Sequence, residues 1–401
     1  MSRQRVVITG MGVFSGSGIN VPAFTDALLD GTSGIGPLDL FDVSPFPSRI
    51  GCQVKGYDPR DYFDCIAARK LSRADQFGVI AAGEALRDSG VTGCYSAYEM
   101  GVSMGAGAAG MFQGEQWLKY RLAGQKSSPD LLRGLLPDTT TTVLARTYGL
   151  AGYQGTVTTA CSSSATAIGW GADLVATGQQ RAVLAGGADA LSLLTFAGFN
   201  ALRVVDPDPC SPFSLGRQGI SLGEGAACLV LEGEEDARAR GARIYGVILG
   251  YALAGEAWHM TAPEPSGGTA ARMMQAALLS AGVKAGRVGW VNAHGTGTSL
   301  NDVVESNAMK LVFGDRVADV PLISTKGMTG HCLGAAGAIE ALATVIALNQ
   351  RVIPQTLNFR GRDPECDLDY CHEGPRPSDC RVAMSNSFAF GGNITSLVLS
   401  R

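Results

Sequence analysis

The chain has 401 residues, of which 46% are hydrophobic and only 17% are charged. The net charge is −4 and the pI is about 5.7, which argues against a general nucleic-acid-binding protein, since those carry basic patches. A chain of this length can bury a large core. Because charged residues are so few, we expect partner subunits to cover part of its surface.

Ten cysteines are scattered along the chain, and no two of them form a CxxC pair. The densest group combines three cysteines with one histidine: Cys366, Cys371, His372 and Cys380. This spacing matches no common zinc pattern, so no metal site is expected. With neither a signal peptide nor a disulfide framework, the sequence indicates a cytoplasmic protein with reduced thiols. The most apolar late segment, residues 339–348, is too short to span a membrane, and no membrane association is expected.

The chain enters a strand almost at its N-terminus, and strands and helices then alternate to its end. Strand patterns lie at residues 5–9, 100–104, 155–159, 182–185, 227–232, 243–251, 287–292, 320–324, 382–385 and 396–400. Helical patterns between them include residues 74–89, 163–177, 270–281, 302–313 and 335–348. This alternation predicts an α/β protein in which helices cover mixed or parallel sheets.

Two segments of the chain share one local pattern. In the first half a strand leads into Cys161 and a helix rich in alanine and glycine, and in the second half a strand leads through His331 into another such helix. The pattern predicts two similar halves, although two ordinary strand-helix units would look alike by coincidence. No linker divides the chain, so we treat residues 1–401 as one unit with halves at 1–241 and 242–401.

Cys161 lies where strand-type residues meet the start of the small-residue helix. The positive end of a helix lowers the pKa of a nearby thiol, which makes Cys161 a candidate nucleophile. The alternative is that this free cysteine is simply a small buried hydrophobe.

Two of the four histidines, His294 and His331, lie in glycine- and threonine-rich turns after strands. An imidazole beside a thiol can accept its proton, and two imidazoles can donate hydrogen bonds to an oxyanion or enolate. Lys326, five residues before His331, could fix charge in the same turn. Glu340 lies in an otherwise apolar helix and would need a partner such as Lys326 if it is buried. Taken singly, each of these residues also suits a structural or surface role.

Five motifs occur in a fixed order along the chain. They are Thr-Ala-Cys-Ser-Ser at 159–163, Pro-Phe-Ser to Gly-Glu-Gly at 212–225, Asn-Ala-His-Gly-Thr-Gly-Thr at 292–298, Thr-Lys-Gly-Met-Thr-Gly-His at 325–331 with Gly-Ala-Ala-Gly at 334–337, and Asn-Ser-Phe-Ala-Phe-Gly-Gly at 386–392. Over nearly its whole length the chain resembles the β-ketoacyl-acyl-carrier-protein synthases of the I/II type and the related type II polyketide ketosynthases. The resemblance implies a thiolase-like α/β fold of two similar halves, with stacked mixed sheets and helices in five layers (α-β-α-β-α), and a dimer.

The resemblance also implies a reaction, the decarboxylative Claisen condensation of fatty-acid or polyketide chain elongation. Cys161 resembles the thiolate that accepts an acyl group from acyl carrier protein. His294 and His331 resemble the pair that supports decarboxylation of malonyl carrier protein, while Lys326 orients the site and Glu340 supports it. No cofactor is implied, because the substrates are carried on the phosphopantetheine of the carrier protein.

Further residues take roles from the same resemblance. Thr296 and Thr298 match the hydroxyls that meet the malonyl carboxylate. The backbone N–H groups of Cys161 and Phe390 match the oxyanion hole, and the Phe390 ring matches the gate over the acyl-cysteine. Phe199 matches a substrate-binding residue.

Three basic residues, Arg69, Lys70 and Arg203, fall where the family docks its acidic carrier protein, although ordinary surface charges would look the same. The chain departs from the usual motif at Ala389, where the elongating bacterial enzymes have glycine. Ala108 stands where the family often has a larger aliphatic residue. We therefore expect altered gate motion, a roomier acyl tunnel and a specialised assembly line.

Other functions stay open at this point. A thiolase-like enzyme acting on coenzyme A esters is disfavoured by the two histidine turns and Lys326. An inactive chain-length factor is disfavoured by the presence of Cys161. An active enzyme could form a homodimer or a heterodimer with a chain-length-factor-like subunit.

Overall fold

The computed structural model describes residues 4–401, apart from the side chains of Cys65 and Ala67. Within that range the strands are β1 (Val6–Ser15), β2 (Gly36–Pro37), β3 (Ile50–Gly51), β4 (Met100–Gly105), β5 (Gln154–Val157), β6 (Ala182–Asp189), β7 (Gly225–Gly233), β8 (Gly246–Gly255), β9 (Trp290–Asn292), β10 (Leu322–Ile323), β11 (Val352–Ile353), β12 (Arg376–Pro377), β13 (Val382–Phe388) and β14 (Asn393–Ser400). The α-helices are α1 (Val21–Asp30), α2 (Cys65–Lys70), α3 (Arg73–Ser89), α4 (Met111–Leu122), α5 (Thr139–Tyr148), α6 (Ser163–Ala176), α7 (Leu193–Ala201), α8 (Glu234–Ala239), α9 (Gly268–Ser280), α10 (Asn301–Phe313), α11 (Lys326–Thr329) and α12 (Ala336–Gln350).

Ten of these strands form two five-stranded units with the same order and the same directions. The first unit runs β5-β4-β6-β7-β1 and the second runs β10-β9-β13-β14-β8. In each unit one strand, β7 or β14, is antiparallel to both of its neighbours, and the other pairs are parallel. The units join at one edge, where β1 pairs with β8 over three residue pairs. The expectation of two similar halves is confirmed.

Helices complete five layers around the two units. The central helices α6 and α12 pack against each other and against strands of both units, while α3 covers the first unit from outside and α9 with α10 covers the second. Helix α12 is buried on every side from Ala336 to Leu348, as expected for a helix that is apolar all round. The order α-β-α-β-α agrees with the predicted fold class.

The close approach of α6 and α12 depends on small residues. A Cβ atom on Gly337 would lie 2.8 Å from the Cβ atom of Ala165, so glycine is required for this spacing. Ser164 strengthens the contact, because its Oγ accepts the Ala338 N–H at 2.9 Å. The start of each central helix is therefore locked to the start of the other. The catalytic candidates Cys161 and His331 lie just before these two helix starts.

One segment has the length and apolarity of a membrane span, Leu333–Gln350, and is thus longer than the sequence pattern suggested. It consists of α12 and the 3-10 turn before it, and 89% of it is buried inside the fold. Its apolar character is explained by its place in the core of the protein.

Candidate active site

Cys161 lies in a single 3-10 turn, Ala160–Ser162, between β5 and α6. The turn is tight because Ala160 adopts a φ of +51°, a left-handed conformation that residues with a Cβ atom rarely take. Ser163 Oγ donates to the Ala160 carbonyl at 2.6 Å and accepts the Thr159 N–H at 2.9 Å. These bonds hold the cysteine at the junction of strand and helix, where the sequence pattern placed it.

A cavity of about 130 Å³ is lined by Cys161 and by residues of both halves. Seven of the predicted site residues lie in its wall: Cys161, Phe199, His294, Thr296, Thr298, His331 and Phe390. Cys161 itself is 7% exposed, so the thiol is reached through this cavity. The fold thus brings together residues that are far apart in the sequence.

His294 and His331 are neutral and have defined tautomers. Their ring centroids are 5.3 Å apart and the rings are nearly perpendicular. The Leu333 N–H donates to His331 Nδ1 at 3.1 Å, and the Lys326 ammonium lies 3.4 Å from His294 Nδ1. Because Nδ1 is the acceptor in both rings, the single proton of each neutral imidazole is at Nε2. Burial, and then the charge of Lys326, lower the pKa of both rings well below the ordinary value.

Lys326 is a buried cation behind these rings, and its side chain is 1% exposed. Its ammonium donates to Glu340 Oε1 and, at 2.5 Å, to the backbone carbonyl of His294. Burial raises the pKa of Glu340 to about 7, against the opposing effect of Lys326. The pair places a fixed positive charge next to His294 and ties α11 to α12.

The threonines of the motif at 292–298 lie in a turn that buried charges hold in place. Thr296 Oγ1 and Thr298 Oγ1 are 2.9 Å apart. The Asp302 carboxylate accepts the Thr296 N–H at 3.1 Å, and Arg217 donates to the Thr298 carbonyl at 3.0 Å. Glu305 lies one helical turn after Asp302 and accepts the His294 N–H at 2.9 Å. Burial raises the pKa of Glu305 to about 7.

Phe390 covers Cys161 from the C-terminal motif. Its backbone N–H forms a hydrogen bond with the Cys161 sulfur. Its ring stacks on Phe199, with 5.7 Å between the centroids. Gly391 and Gly392 follow with φ of +85° and +77°, conformations that favour glycine. The Gly391 N–H donates to the carbonyl of Met260, another residue of the cavity wall, at 2.7 Å.

The expectation of a lowered thiol pKa at Cys161 is wrong for the free protein. Burial raises the pKa of this thiol to about 12, and the negative charges of Asp189 and Glu340 add to the rise. Lys326 and the Phe390 N–H act in the opposite direction but do not overcome the loss of hydration. In the free protein the protonated thiol is therefore the favoured form of Cys161.

Six predicted residues lie outside the cavity wall, and two of them, Lys326 and Glu340, form the buried pair behind the histidine rings. Ala108 is buried in an apolar cluster against which Phe199 packs, so it lies behind the cavity. Arg69 and Lys70 are exposed at the end of α2. Arg203 is exposed just after α7 and directly precedes Val204, which does line the cavity.

Sequence reasoning missed the buried acids Asp189, Asp302 and Glu305, which hold the backbone of the site. A signal existed for the last two, because two acids three residues apart in a largely apolar helix must share one face and find buried partners. His259 also lines the cavity, and its Nδ1 accepts the N–H groups of Thr261 and Ala262, both at 3.1 Å. Among the described residues, no group of three or more side chains of metal-ligating type is placed to hold a metal ion.

The five layers, the duplicated sheet order and a cysteine at the junction of the halves define a thiolase-like enzyme. Residues 3–237 match the N-terminal domain of the beta-ketoacyl synthase family, and residues 245–360 match its C-terminal domain. The chain belongs to the beta-ketoacyl synthase family, as the motifs predicted, and is a condensing enzyme.

Similar proteins cover the chain from end to end. It is 37% identical to 3-oxoacyl-acyl-carrier-protein synthase 2 of Synechocystis, over 100% of this chain and 99% of that protein. It is 39% identical to nodulation protein E of Rhizobium meliloti, over 99% of this chain and 98% of the relative. The solved structure of the ishigamide ketosynthase/chain length factor matches with a TM-score of 0.93 and 37% identity, over 99% of both chains.

Proposed function

We propose that the chain condenses an acyl group held on Cys161 with a malonyl unit held on acyl carrier protein, and releases a β-ketoacyl carrier protein. The observation that carries the proposal is the cavity in which the Cys161 thiol meets two neutral imidazoles, His294 and His331. A neutral ring with its proton at Nε2 can donate a hydrogen bond to a developing enolate oxygen.

In the first half-reaction the Cys161 sulfur attacks the carbonyl carbon of an acyl thioester. The bond from that carbon to the carrier sulfur breaks, and the thiol proton of Cys161 passes to the departing carrier thiolate. The N–H groups of Cys161 and Phe390 stabilise the tetrahedral oxyanion. Since the thiol pKa is high in the free protein, we expect the proton to leave as the carbonyl is engaged.

In the second half-reaction the malonyl thioester loses its carboxylate as carbon dioxide, and the electron pair forms an enolate. Hydrogen bonds from His294 and His331 to the thioester oxygen stabilise that enolate. The hydroxyls of Thr296 and Thr298 meet the malonyl carboxylate before it departs. The enolate carbon attacks the acyl carbonyl, the bond to sulfur breaks, and Cys161 takes up a proton. The atoms and electrons of both half-reactions are accounted for without a resident cofactor.

We place carrier docking at the exposed basic residues Arg69, Lys70 and Arg203, because acyl carrier protein is acidic. Arg203 adjoins the cavity wall through Val204, which puts a positive charge beside the entrance. Complementary charge of this kind speeds encounter and fixes orientation.

We further propose that the chain works in a dimer of two ketosynthase-type chains, either a homodimer or a heterodimer with a chain-length-factor-like subunit. Strand β5 is one of the two edge strands of the ten-stranded sheet, and an unpaired edge is a template for pairing with another chain. Trp170, Leu193 and Leu194 are exposed on α6 and α7.

The reduced state of all nine cysteines described at side-chain level supports a cytoplasmic setting.

A specialised polyketide or polyene assembly line is the second candidate setting for the same reaction. Ala108 is a small residue of the apolar cluster against which Phe199 packs, and a larger residue at this position would limit the acyl chain. Cys161 with both histidines argues against an inactive chain-length factor.

The test is mass spectrometry of the intact protein after incubation with carrier proteins loaded with different acyl chains. We expect one acyl adduct on Cys161 and, after malonyl carrier protein is added, release of β-ketoacyl carrier protein with ping-pong kinetics. Cys161→Ala should lose the adduct but keep its fold. Adducts on other residues, or product formed by Cys161→Ala at the normal rate, would refute the proposal.

A further inference from the structure

Asp189 is a buried carboxylate at the end of β6 and has no assigned role in the reaction described above. Its two oxygens accept four backbone N–H groups. Oδ1 accepts those of Ala108 at 2.8 Å and Ala109 at 2.6 Å. Oδ2 accepts those of Gly107 at 2.9 Å and Gly334 at 2.5 Å. A carboxylate in this position holds the backbone in place, because its negative charge strengthens each of the hydrogen bonds in the water-free interior.

These four amides belong to two segments from different halves of the chain. Residues 107–109 follow β4 and enter the apolar cluster that contains Ala108. Gly334 lies in the 3-10 turn Leu333–Ala335, between His331 and α12. The two backbones touch, since a Cβ atom on Gly334 would lie 2.4 Å from the Gly107 nitrogen. The Asp189 carboxylate therefore holds the segment beside the acyl cluster against the turn after His331.

The turn held in this way determines the state of His331. The residue before Gly334 is Leu333, whose N–H donates to His331 Nδ1 and leaves the ring proton at Nε2. Leu333 has a φ of +51°, a conformation that costs free energy and persists only if its surroundings enforce it. The bond from the Gly334 N–H to Asp189 is one contact that does so.

We propose that Asp189 is a positioning residue for the condensation, which sets the orientation and tautomer of His331 relative to the acyl-bearing half of the site. The inference rests on the proposed function, because it assigns His331 to malonyl decarboxylation. The inference predicts that loss of Asp189 slows malonyl decarboxylation more than it slows the reactions of the Cys161 thiol.

The charge of Asp189 provides a second measurable effect, on the reactivity of the Cys161 thiol. Four N–H groups oppose the effect of burial, and the pKa of Asp189 is raised only to about 6, so the group is ionised at pH 7.5. Its negative charge raises the thiol pKa of Cys161, on which Lys326 and Glu340 also act. An uncharged residue at position 189 should therefore make the Cys161 thiolate easier to form.

Asp189→Asn tests the inference in the full chain. The amide keeps the shape but replaces one oxygen with a donor, so some of the four N–H groups lose their acceptor. We expect decarboxylation of malonyl carrier protein at pH 7.5 to fall at least tenfold, by analogy with the loss of a preorganised donor. Alkylation of Cys161 by iodoacetamide, followed by peptide mass spectrometry, should become roughly two- to tenfold faster, since one pKa unit is a tenfold change in thiolate.

Glu84→Gln is the matched control. Glu84 is a partly buried carboxylate of α3 that also accepts two backbone N–H groups, from Val13 and Val21, and it does not line the cavity. This variant should lose stability while both rates stay within about twofold of wild type. If Asp189→Asn slows decarboxylation no more than this control, or slows alkylation equally, Asp189 is merely structural and the inference is wrong.

Two further comparisons distinguish a failure of this inference from a folding defect and from a failure of the proposed function. If Asp189→Asn does not fold, Asp189→Glu keeps the charge but moves the oxygens by one methylene, and decarboxylation should again fall more than alkylation does. Equal losses in that variant would also overturn the inference. Failure of the wild-type chain to decarboxylate malonyl carrier protein would instead contradict the proposed function, before any variant is compared.

Discussion

Lys326 shows how one buried charge can set the state of two neighbouring residues. Its ammonium is held by Glu340 and by the carbonyl of His294, so it cannot turn away from the rings. A nearby positive charge penalises imidazolium, and the pKa of His294 and of His331 falls for this reason as well as through burial. Both rings thus stay neutral well below pH 6.5, and in that state Nδ1 keeps its role as acceptor while the Nε2 proton can be donated to an enolate.

Lys326→Met should remove this control while nearly filling the same volume. We expect malonyl decarboxylation to slow by roughly 10²–10³-fold, because His294 loses the partner at Nδ1 and Glu340 is left unpaired. The lowered histidine pKa should also rise once the positive charge is gone. Activity should then fail at a higher pH on the acid side, as measured by the rate of decarboxylation between pH 5 and 8.

Lys310→Met is the control, since Lys310 forms a partly exposed ion pair with Asp367 away from the cavity. Such a pair contributes little, so rate and pH profile should stay close to wild type. If the decarboxylation rate of Lys326→Met falls at the same acidic pH as the rate of wild type, the role assigned to the lysine charge is wrong.

Ala108→Ile tests whether this position limits the acyl chain. The added carbons would enter the apolar cluster beside Phe199 and occupy the space that we propose for the end of a long acyl chain. We expect loading of Cys161 with long acyl chains to fall by at least tenfold, measured by mass spectrometry. Loading with a short acyl chain in the same variant is the internal control and should change little. An unchanged chain-length range would refute the roomier tunnel.

At the scale of elements, the sequence predicted the sheet better than the small helices. All ten strand patterns are the ten strands of the sheet, because buried runs of apolar residues have few alternatives. The pairs β2–β3 and β11–β12 were not predicted, since two residues carry no periodicity. Helix α7 was not singled out either, because its apolar residues do not lie along one face and part of it is exposed.

In the site, the features set by residues close in sequence were predicted, and those set by residues far apart in sequence were not. The turn at Cys161 and the histidine turns follow from nearby residues, and the structure places them as expected. The thiol pKa was predicted in the wrong direction because the degree of burial depends on packing between the halves. Asp189 was missed because its partners lie about 80 and 145 residues away in sequence, where no spacing rule applies.

The contact between α6 and α12 gives a stability prediction at this scale. Gly337→Ala would place a methyl group 2.8 Å from the backbone nitrogen of Ala165 and 2.9 Å from Ser387 Oγ. We expect the free energy of unfolding to fall by about 1–3 kcal/mol, as for overpacked cores, measured by denaturant titration.

Gly198→Ala is the matched control for a glycine in a helix. Gly198 lies in α7, and an added Cβ atom would meet nothing within 4 Å. Alanine should stabilise that helix by about 0.5–1 kcal/mol. If both variants shift stability in the same direction by similar amounts, close helix packing is not what Gly337 provides.

At the scale of the whole molecule, both halves contribute residues to the cavity in which we propose that the reaction occurs. The half that ends with β7 and α8 supplies Cys161 and Phe199, and the half that starts with β8 supplies the histidines, the threonines and Phe390. The cavity lies where both halves present the ends of their central helices. Carrier protein must reach this junction from outside, and the exposed charge nearest to the cavity wall among the predicted docking residues is Arg203.

Arg203→Glu therefore tests docking with the intact enzyme. Reversal of the charge should raise the KM for carrier-bound substrate by roughly tenfold, about 1.4 kcal/mol, and leave the KM for a small acyl thioester within twofold. The effect should shrink as salt is added, because exposed charges are screened. Arg272→Glu on α9, on the outer face of the second sheet unit, makes the same change in net charge away from the cavity and should leave both values unchanged. An equal rise of KM for carrier-bound and small substrates would show that Arg203 acts on the cavity itself, for instance through Val204, and that the carrier docks elsewhere.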